Sequence, residues 1–236
     1  MYGFMTLLAG AVEAGITATA RGFGRARTAR ALLRAQPRTC ADIARAGAFA
    51  ADGRTASMPI AEVRAQVVLG PGGPVTAPLS GIECAWYLVQ VRERFRVWHP
   101  GPIGPGRLER QVTVARQLSA RLAVRDDTGG LRVDAMGAEY FLGPPSYHAF
   151  EERVGGDGTL MAELARVFGT PLRSRHGTMT VGFLVEEWVL REGDELRIVG
   201  QARSEIGEVV LAKPALRPFV VAAPAHAPVP IDRRQR

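Results

Sequence analysis

Apolar and polar residues alternate over most of the chain from residue 61 onward. AEVRAQVVL (61–69) has the period of two that a half-buried strand needs, and GPGGP (70–74) supplies a turn after it. PLSG (78–81) reads as a second turn. CAWYLVQVRERFRVW (84–98) reads as a long strand, with Tyr87, Val89, Val91 and Glu93 on one side and Leu88, Gln90, Arg92 and Arg94 on the other. HPGPIGPG (99–106) is rich enough in Pro and Gly to be expected as a surface loop. Residues 120–141 read as strand, tight turn and strand: LAV, then Asp126 to Gly130, then LRV. The period changes at TLMAELARVF (159–168), where Leu160, Met161, Leu164 and Phe168 share one helical face and Gly169 and Pro171 end the helix. TVGFLVEEWVL (180–190) and ELRIVGQAR (195–203) return to strand, joined by Arg191-Glu192-Gly193-Asp194, and EVVLAK (208–213) is expected to pair last. There is no internal repeat.

The two ends differ from this body. Residues 2–20 are apolar but diluted by Gly, Ala and Thr and interrupted by Glu13. A mid-helix carboxylate costs roughly 2.5–3.5 kcal/mol on an insertion scale, which Phe4, Leu7, Leu8, Val12 and Ile16 together only about offset. Six arginines without an intervening acid follow: Arg21, Arg25, Arg27, Arg30, Arg34 and Arg38. Such a flank disfavours secretion and suits an anionic membrane surface. Thr39 to Asp42 is a helix N-cap pattern with ADIARAGAFA behind it, and Gly53 to Met58 reads as a linker. Five prolines fall after residue 213, so the end reads as a mostly disordered tail.

The expected fold is therefore mainly β with helical additions. It is an OB-like, partly open β-barrel or curved antiparallel sheet, with one helix inserted at about 159–168 and a helical N-terminal arm. Three regions are expected: the arm with its linker over 1–56, a β domain over 57–215, and a Pro-rich basic tail over 216–236.

Composition changes the picture in one respect. A chain of 236 residues with 47% hydrophobic and 22% charged residues is ordinary for a globular protein. The net charge of +7 is not evenly spread. Residues 1–66 hold nine Arg against four acids and residues 224–236 three Arg against one Asp, while residues 67–223 balance at eighteen of each sign. Polyanion contact is thus expected at the ends. All the basic residues but Lys213 are arginine, spread along the chain, which argues for a coding bias over phosphate recognition.

Candidate chemistry is sparse. Cys84 lies in an apolar run with no nearby histidine to activate it, so a buried inert thiol is expected. The two cysteines make neither a disulfide framework nor a zinc pattern. Trp86 and Tyr87 fall on opposite faces of a strand, so at most one can belong to any stacking surface. Asp126, Asp127, Glu139, Glu186, Glu187 and Asp194 are the carboxylates that could form a metal or acid–base site. Asp127 and Asp194 sit in turns, where Asp bonds backbone N–H groups. Ser80 is not in a G-x-S-x-G elbow, and no phosphate loop or dinucleotide fingerprint is present, so no catalytic residue, metal or cofactor is expected.

Three blocks in order carry a resemblance. The first holds Pro78, Leu79, Ser80, Gly81, Cys84, Trp86, Tyr87, Val91 and Glu93. The second holds Asp127, Thr128, Gly129, Val133, Gly137, Ala138 and Glu139. The third holds Glu187, Leu190, Glu192, Gly193, Asp194, Leu196 and Gly200. This pattern, over roughly residues 60–215, resembles the GIDE domain family, also called BAM ("beside a membrane"). In eukaryotic relatives the resemblance implies a domain beside membrane helices of a ubiquitin ligase, whose separate RING domain carries the activity. A RING needs eight Cys/His zinc ligands; this chain has two Cys and His99, His148, His176 and His226. It resembles the bacterial type without a RING, so the ligase label is expected by family name only. Val220 to Ala223 is far too short to span a membrane.

The expected function is a membrane-proximal, non-catalytic interaction module. It would sit on an anionic membrane through its N-terminal arm, on the cytoplasmic face, and meet a protein partner. An OB-like nucleic-acid binder is the second reading, disfavoured by the neutral body. An enzyme with an unrecognised site is the third.

Overall fold

The computed structural model describes residues 35–51, 60–101, 104–119, 121–153, 158–205, 208–214 and 218–226. Arg21, Arg25, Arg27, Arg30 and Arg34 lie outside these residues, as do the apolar stretch before them and the last ten residues of the expected tail.

Among the described residues, fourteen strands and two α-helices follow in chain order. They are β1 (Gln36–Pro37), α1 (Cys40–Ala51), β2 (Ile60–Val67), β3 (Val75–Thr76), β4 (Glu83–Cys84), β5 (Trp86–Gly101) and β6 (Gly104–Leu118). Then come β7 (Leu122–Asp126), β8 (Gly129–Val133), β9 (Glu139–Phe141), β10 (Tyr147–Glu152), α2 (Thr159–Phe168), β11 (Thr180–Leu190), β12 (Glu195–Glu205), β13 (Glu208–Ala212) and β14 (Val220–Ala222).

The expected barrel is present, and it is closed. Its ring runs β2-β7-β8-β13-β12, and β12 pairs back onto β2 from Glu195↔Gln66 to Gln201↔Ile60. The pairing of β8 with β13 is parallel, which a purely antiparallel sheet would not contain. Inward residues of the ring are apolar and shielded, among them Val63, Val67, Leu122, Val124, Val133, Leu196, Ile198 and Leu211. Closure leaves these strands no unpaired edge. Two glycines make it sterically feasible. Gly193 takes a left-handed φ of 88° in the β11–β12 turn, and its N–H donates to Val67 O at 2.9 Å. At Gly200 a Cβ would come within 2.8 Å of the Phe219 ring and 3.0 Å of Ala212 O, so only hydrogen fits.

The capping pattern at Thr39 starts a helix as expected. Thr39 Oγ1 accepts from Asp42 N and Asp42 Oδ2 accepts from Thr39 N, each at 3.2 Å. The helix does not, however, belong to a separate arm. Cys40 and Ile43 are buried in the barrel core, and β1 pairs in parallel with β2. An assignment of 1–56 to one unit therefore divides a segment that packs with the body.

A second sheet of order β10-β11-β5-β6 carries α2 on one face. Leu164 is fully buried there against Val89, Val91, Phe183 and Val185. Two expectations are corrected. The Pro/Gly stretch 99–106 is not a plain loop, because β5 and β6 stay paired as far as Gly101↔Gly104. β6 is an edge, and β5 beyond Phe95 has lost β11, so Pro100 and Pro105 sit in a two-stranded ribbon where missing N–H donors are tolerated. The tail also begins later than expected. β14 lies between β12 and β9, and Phe219, Val220, Val221 and Ala222 are at most 1% exposed. Four consecutive apolar residues have reason to leave water whatever prolines surround them.

Phe219→Ala should cost about 3–5 kcal/mol of unfolding free energy in urea titrations. A loss under about 0.5 kcal/mol, the usual size at a surface position, would mean that this segment is not part of the core.

Candidate functional site

The motif residues converge on two buried carboxylates, Glu93 and Glu187, and a half-buried one, Asp126, each tying distant chain to a strand. Glu187 on β11 has no exposed surface. It accepts hydrogen bonds from Leu79 N and Ser80 N, both at 2.9 Å, and from the Ser80 hydroxyl. The Pro78–Gly81 turn is thereby strapped to the sheet. Cys84 follows on β4, 4% exposed, with its thiol directed at Val75 O. Burial pushes its pKa up, and burial followed by the charge of Asp126 pushes Cys40 up to about 11. Both cysteines are free thiols, held in the protonated form that is a poor nucleophile.

Glu93 on β5 is equally buried and more densely bonded. Its carboxylate accepts from Ser174 Oγ at 2.7 Å, Arg175 N at 3.0 Å, His176 N at 3.2 Å and the Thr180 hydroxyl, and it meets His176 Nδ1 at 3.1 Å. The His176 ring stacks on Phe95 with centroids 3.5 Å apart. Burial by itself would raise the pKa of Glu93. The bonds from Thr180, Ser174, Arg175 and His176 outweigh it and bring the value to about 2.

Glu93 and Glu187 lie on the same face of the second sheet, toward α2. Glu93 pairs with Phe183, four residues before Glu187 on β11. They therefore stand about 13 Å apart along the strand. That exceeds the spacing over which two carboxylates share one substrate as acid and base, about 5–9.5 Å.

The third carboxylate is Asp126 on β7. Asp126, not Asp127, makes the turn bonds. It accepts from Cys40 N at 2.7 Å, Thr128 N at 2.8 Å, Gly129 N at 3.2 Å and Thr128 Oγ1 at 2.6 Å. Thr128 Oγ1 in turn accepts from Ala41 N at 3.1 Å. The β7–β8 hairpin thus satisfies the first free N–H groups of α1, and Asp126 is held below the ordinary carboxylate range despite its burial. Asp127 is exposed.

The remaining motif residues are distributed through the fold. Trp86 is 1% exposed in the barrel core, tilted against Tyr140, while Tyr87 faces the α2 side. Gly137 lies under the Lys213 side chain, and Glu139 opens β9 with its N–H on Phe219 O. Asp194 Oδ2 accepts from Arg191 N at 2.7 Å. Arg38, grouped by sequence with a membrane-facing arm, donates its N–H to Glu62 O beside the barrel. Glu186 pairs with Arg92 on the face away from α2. Among the described residues no three His, Cys, Asp or Glu side chains gather as a metal site. Nothing in the sequence singles out Ser174, Arg175 or Thr180, and His176 stands there only as one of four scattered histidines. They lie more than eighty residues from Glu93, and no local pattern marks them.

The second and third motif blocks fall within a stretch that comparison with protein families also matches. The family model GIDE, described as E3 ubiquitin ligase, matches residues 109–228. The chain belongs to the GIDE family. The match runs through β14, so this GIDE domain includes the apolar segment first read as tail. Comparison with curated proteins and with solved structures found no match.

Glu93→Gln should lower stability at pH 7 by about 2 kcal/mol or more, because buried donors lose a charged acceptor. A carboxyl held at about 2 when folded, against an ordinary 4.5, contributes stability that is complete above the higher value and is lost as pH falls through the lower one. The gap between wild type and variant should therefore narrow between those two pH values in acid-denaturation curves. A gap independent of pH would show that the charge of Glu93 is not what matters.

Proposed function

We propose that this GIDE chain is a membrane-proximal interaction module without catalysis of its own. One observation carries the reading. The family's buried acids, Glu93 and Glu187, have their oxygens occupied by loop N–H and hydroxyl groups. Motif residues that would be the first suspects for chemistry act as fasteners. The family's ligase description rests in its eukaryotic relatives on a RING, and this chain's two Cys and four His fall short of the eight ligands one needs.

The barrel supports an OB-like description, since its third and fifth strands are parallel and its fourth closes on the first. An OB-like barrel alone does not imply nucleic acid, and residues 67–223 carry no net charge. Membrane contact is assigned to the arginines at 21, 25, 27, 30, 34 and 38, where up to about 1 kcal/mol each is available near an anionic surface. Among the described residues no helix is long and apolar enough to cross a membrane.

Membrane fractionation of the chain beside a variant with those six arginines changed to Gln tests this. The chain should pellet with membranes and be released by salt, and a smaller fraction of the variant should pellet. Resistance to alkaline carbonate would replace surface contact by insertion, and a wild-type chain that never pellets would end the membrane reading.

A further inference from the structure

The neutrality of the body conceals one local excess of charge. Residues 94–111, RFRVWHPGPIGPGRLERQ, hold four arginines and a single glutamate. The fold turns this stretch into a projecting arm. β11 leaves β5 at Thr180↔Phe95, and Arg96–Gly101 pair only with Gly104–Glu109. Six rungs of two-stranded ribbon extend about 20 Å past the sheet.

The arm is divided by chemistry. Its tip, His99–Gly101 and Gly104–Gly106, contains no Asp, Glu, Lys or Arg, and the next rung is Trp98 opposite Arg107. Trp98 stands there with 61% of its surface exposed, on a protein whose other two tryptophans are inside: Trp86 at 1%, and Trp188 half-buried with Nε1 donating to Gly143 O at 3.1 Å. Met179, 46% exposed, flanks Trp98 across a cleft of about 410 Å³ that Arg96, Glu152 and Thr178 also line. At the base, Arg94 and Arg96 share the one carboxylate of Glu109 at 2.7 and 3.5 Å, and Arg110 is exposed. Glu109 and Glu152 together are outnumbered by the four arginines of this stretch. A stack of bases would need aromatics along the basic track. Here a single exposed indole stands at the rung opposite Arg107, with the uncharged tip on one side and Arg96 on the other.

We propose that the β5–β6 ribbon docks on an anionic lipid surface, with Trp98 at the headgroup–acyl boundary and the arginine collar on the phosphates. Tryptophan favours that boundary because its ring is apolar and its N–H is not, and each arginine near an anionic surface adds attraction. This contact lies on the body of the domain. It goes beyond the reading of the N-terminal arm and does not depend on it.

The experiment is tryptophan fluorescence of the full chain with vesicles of phosphatidylcholine alone or mixed with phosphatidylserine, with and without brominated acyl chains. Anionic vesicles should shift the emission to shorter wavelength, and brominated lipid should quench it. Trp98→Phe should lose both signals while keeping the fold. Arg96→Gln and Arg110→Gln should each lower vesicle affinity by about five-fold. The variant lacking the six N-terminal arginines should keep the quench, and that result holds whether or not the arm itself binds. The proposal fails if vesicles bind without moving Trp98 emission, or if the signal disappears with the N-terminal arginines. It also fails if no vesicle binds, or if a single-stranded oligonucleotide quenches Trp98 while vesicles do not.

Discussion

A carboxylate without exposed surface persists in a folded protein only where donors replace the water it has lost. Glu93 and Glu187 meet that condition in the same way. Each sits on a strand of the second sheet and takes its donors from a loop far away in sequence. Without the Pro78–Gly81 turn and the 174–176 segment, both acids would be stranded; without the acids, both loops would lose their backbone acceptors. Asp126 repeats the device at the barrel, where its donors are the first N–H groups of a helix. The fold of this chain rests on this mutual dependence of buried charge and irregular backbone.

The stretch between the first strap and Glu93 joins the two halves of the domain. β5 presents Trp86 and Leu88 to the barrel core and Val89 and Val91 to the core under α2. One strand with side chains on alternating faces thus belongs to two cores at once, which accounts for its near-continuous apolar sequence before the arginines begin. Cys84, just ahead of it, is a small apolar filler whose thiol is kept protonated by burial.

Function follows from what this arrangement leaves over. The acids of the motif are occupied, and the two thiols are shielded. Among the described residues, the projecting ribbon with Trp98 is one feature still turned to solvent.

Strand and helix identity was legible in the sequence, because it depends on neighbours. The strand expected over residues 180–190 and the helical spacing of 159–168 match the bounds of β11 and α2. The turn at Gly193, the capping pattern at Thr39 and the family blocks were likewise local signals. Only the tertiary structure could close β12 onto β2, place Phe219 against Gly200 and bring Ser174 and His176 to Glu93. It also decided that prolines 100 and 105 extend a ribbon, since their tolerance comes from a missing neighbour strand. It chose Asp126 over Asp127 as well, two adjacent identical residues separated only by which one faces a helix terminus. These outcomes are set by contacts between segments tens of residues apart, and no periodicity along the chain records such a contact.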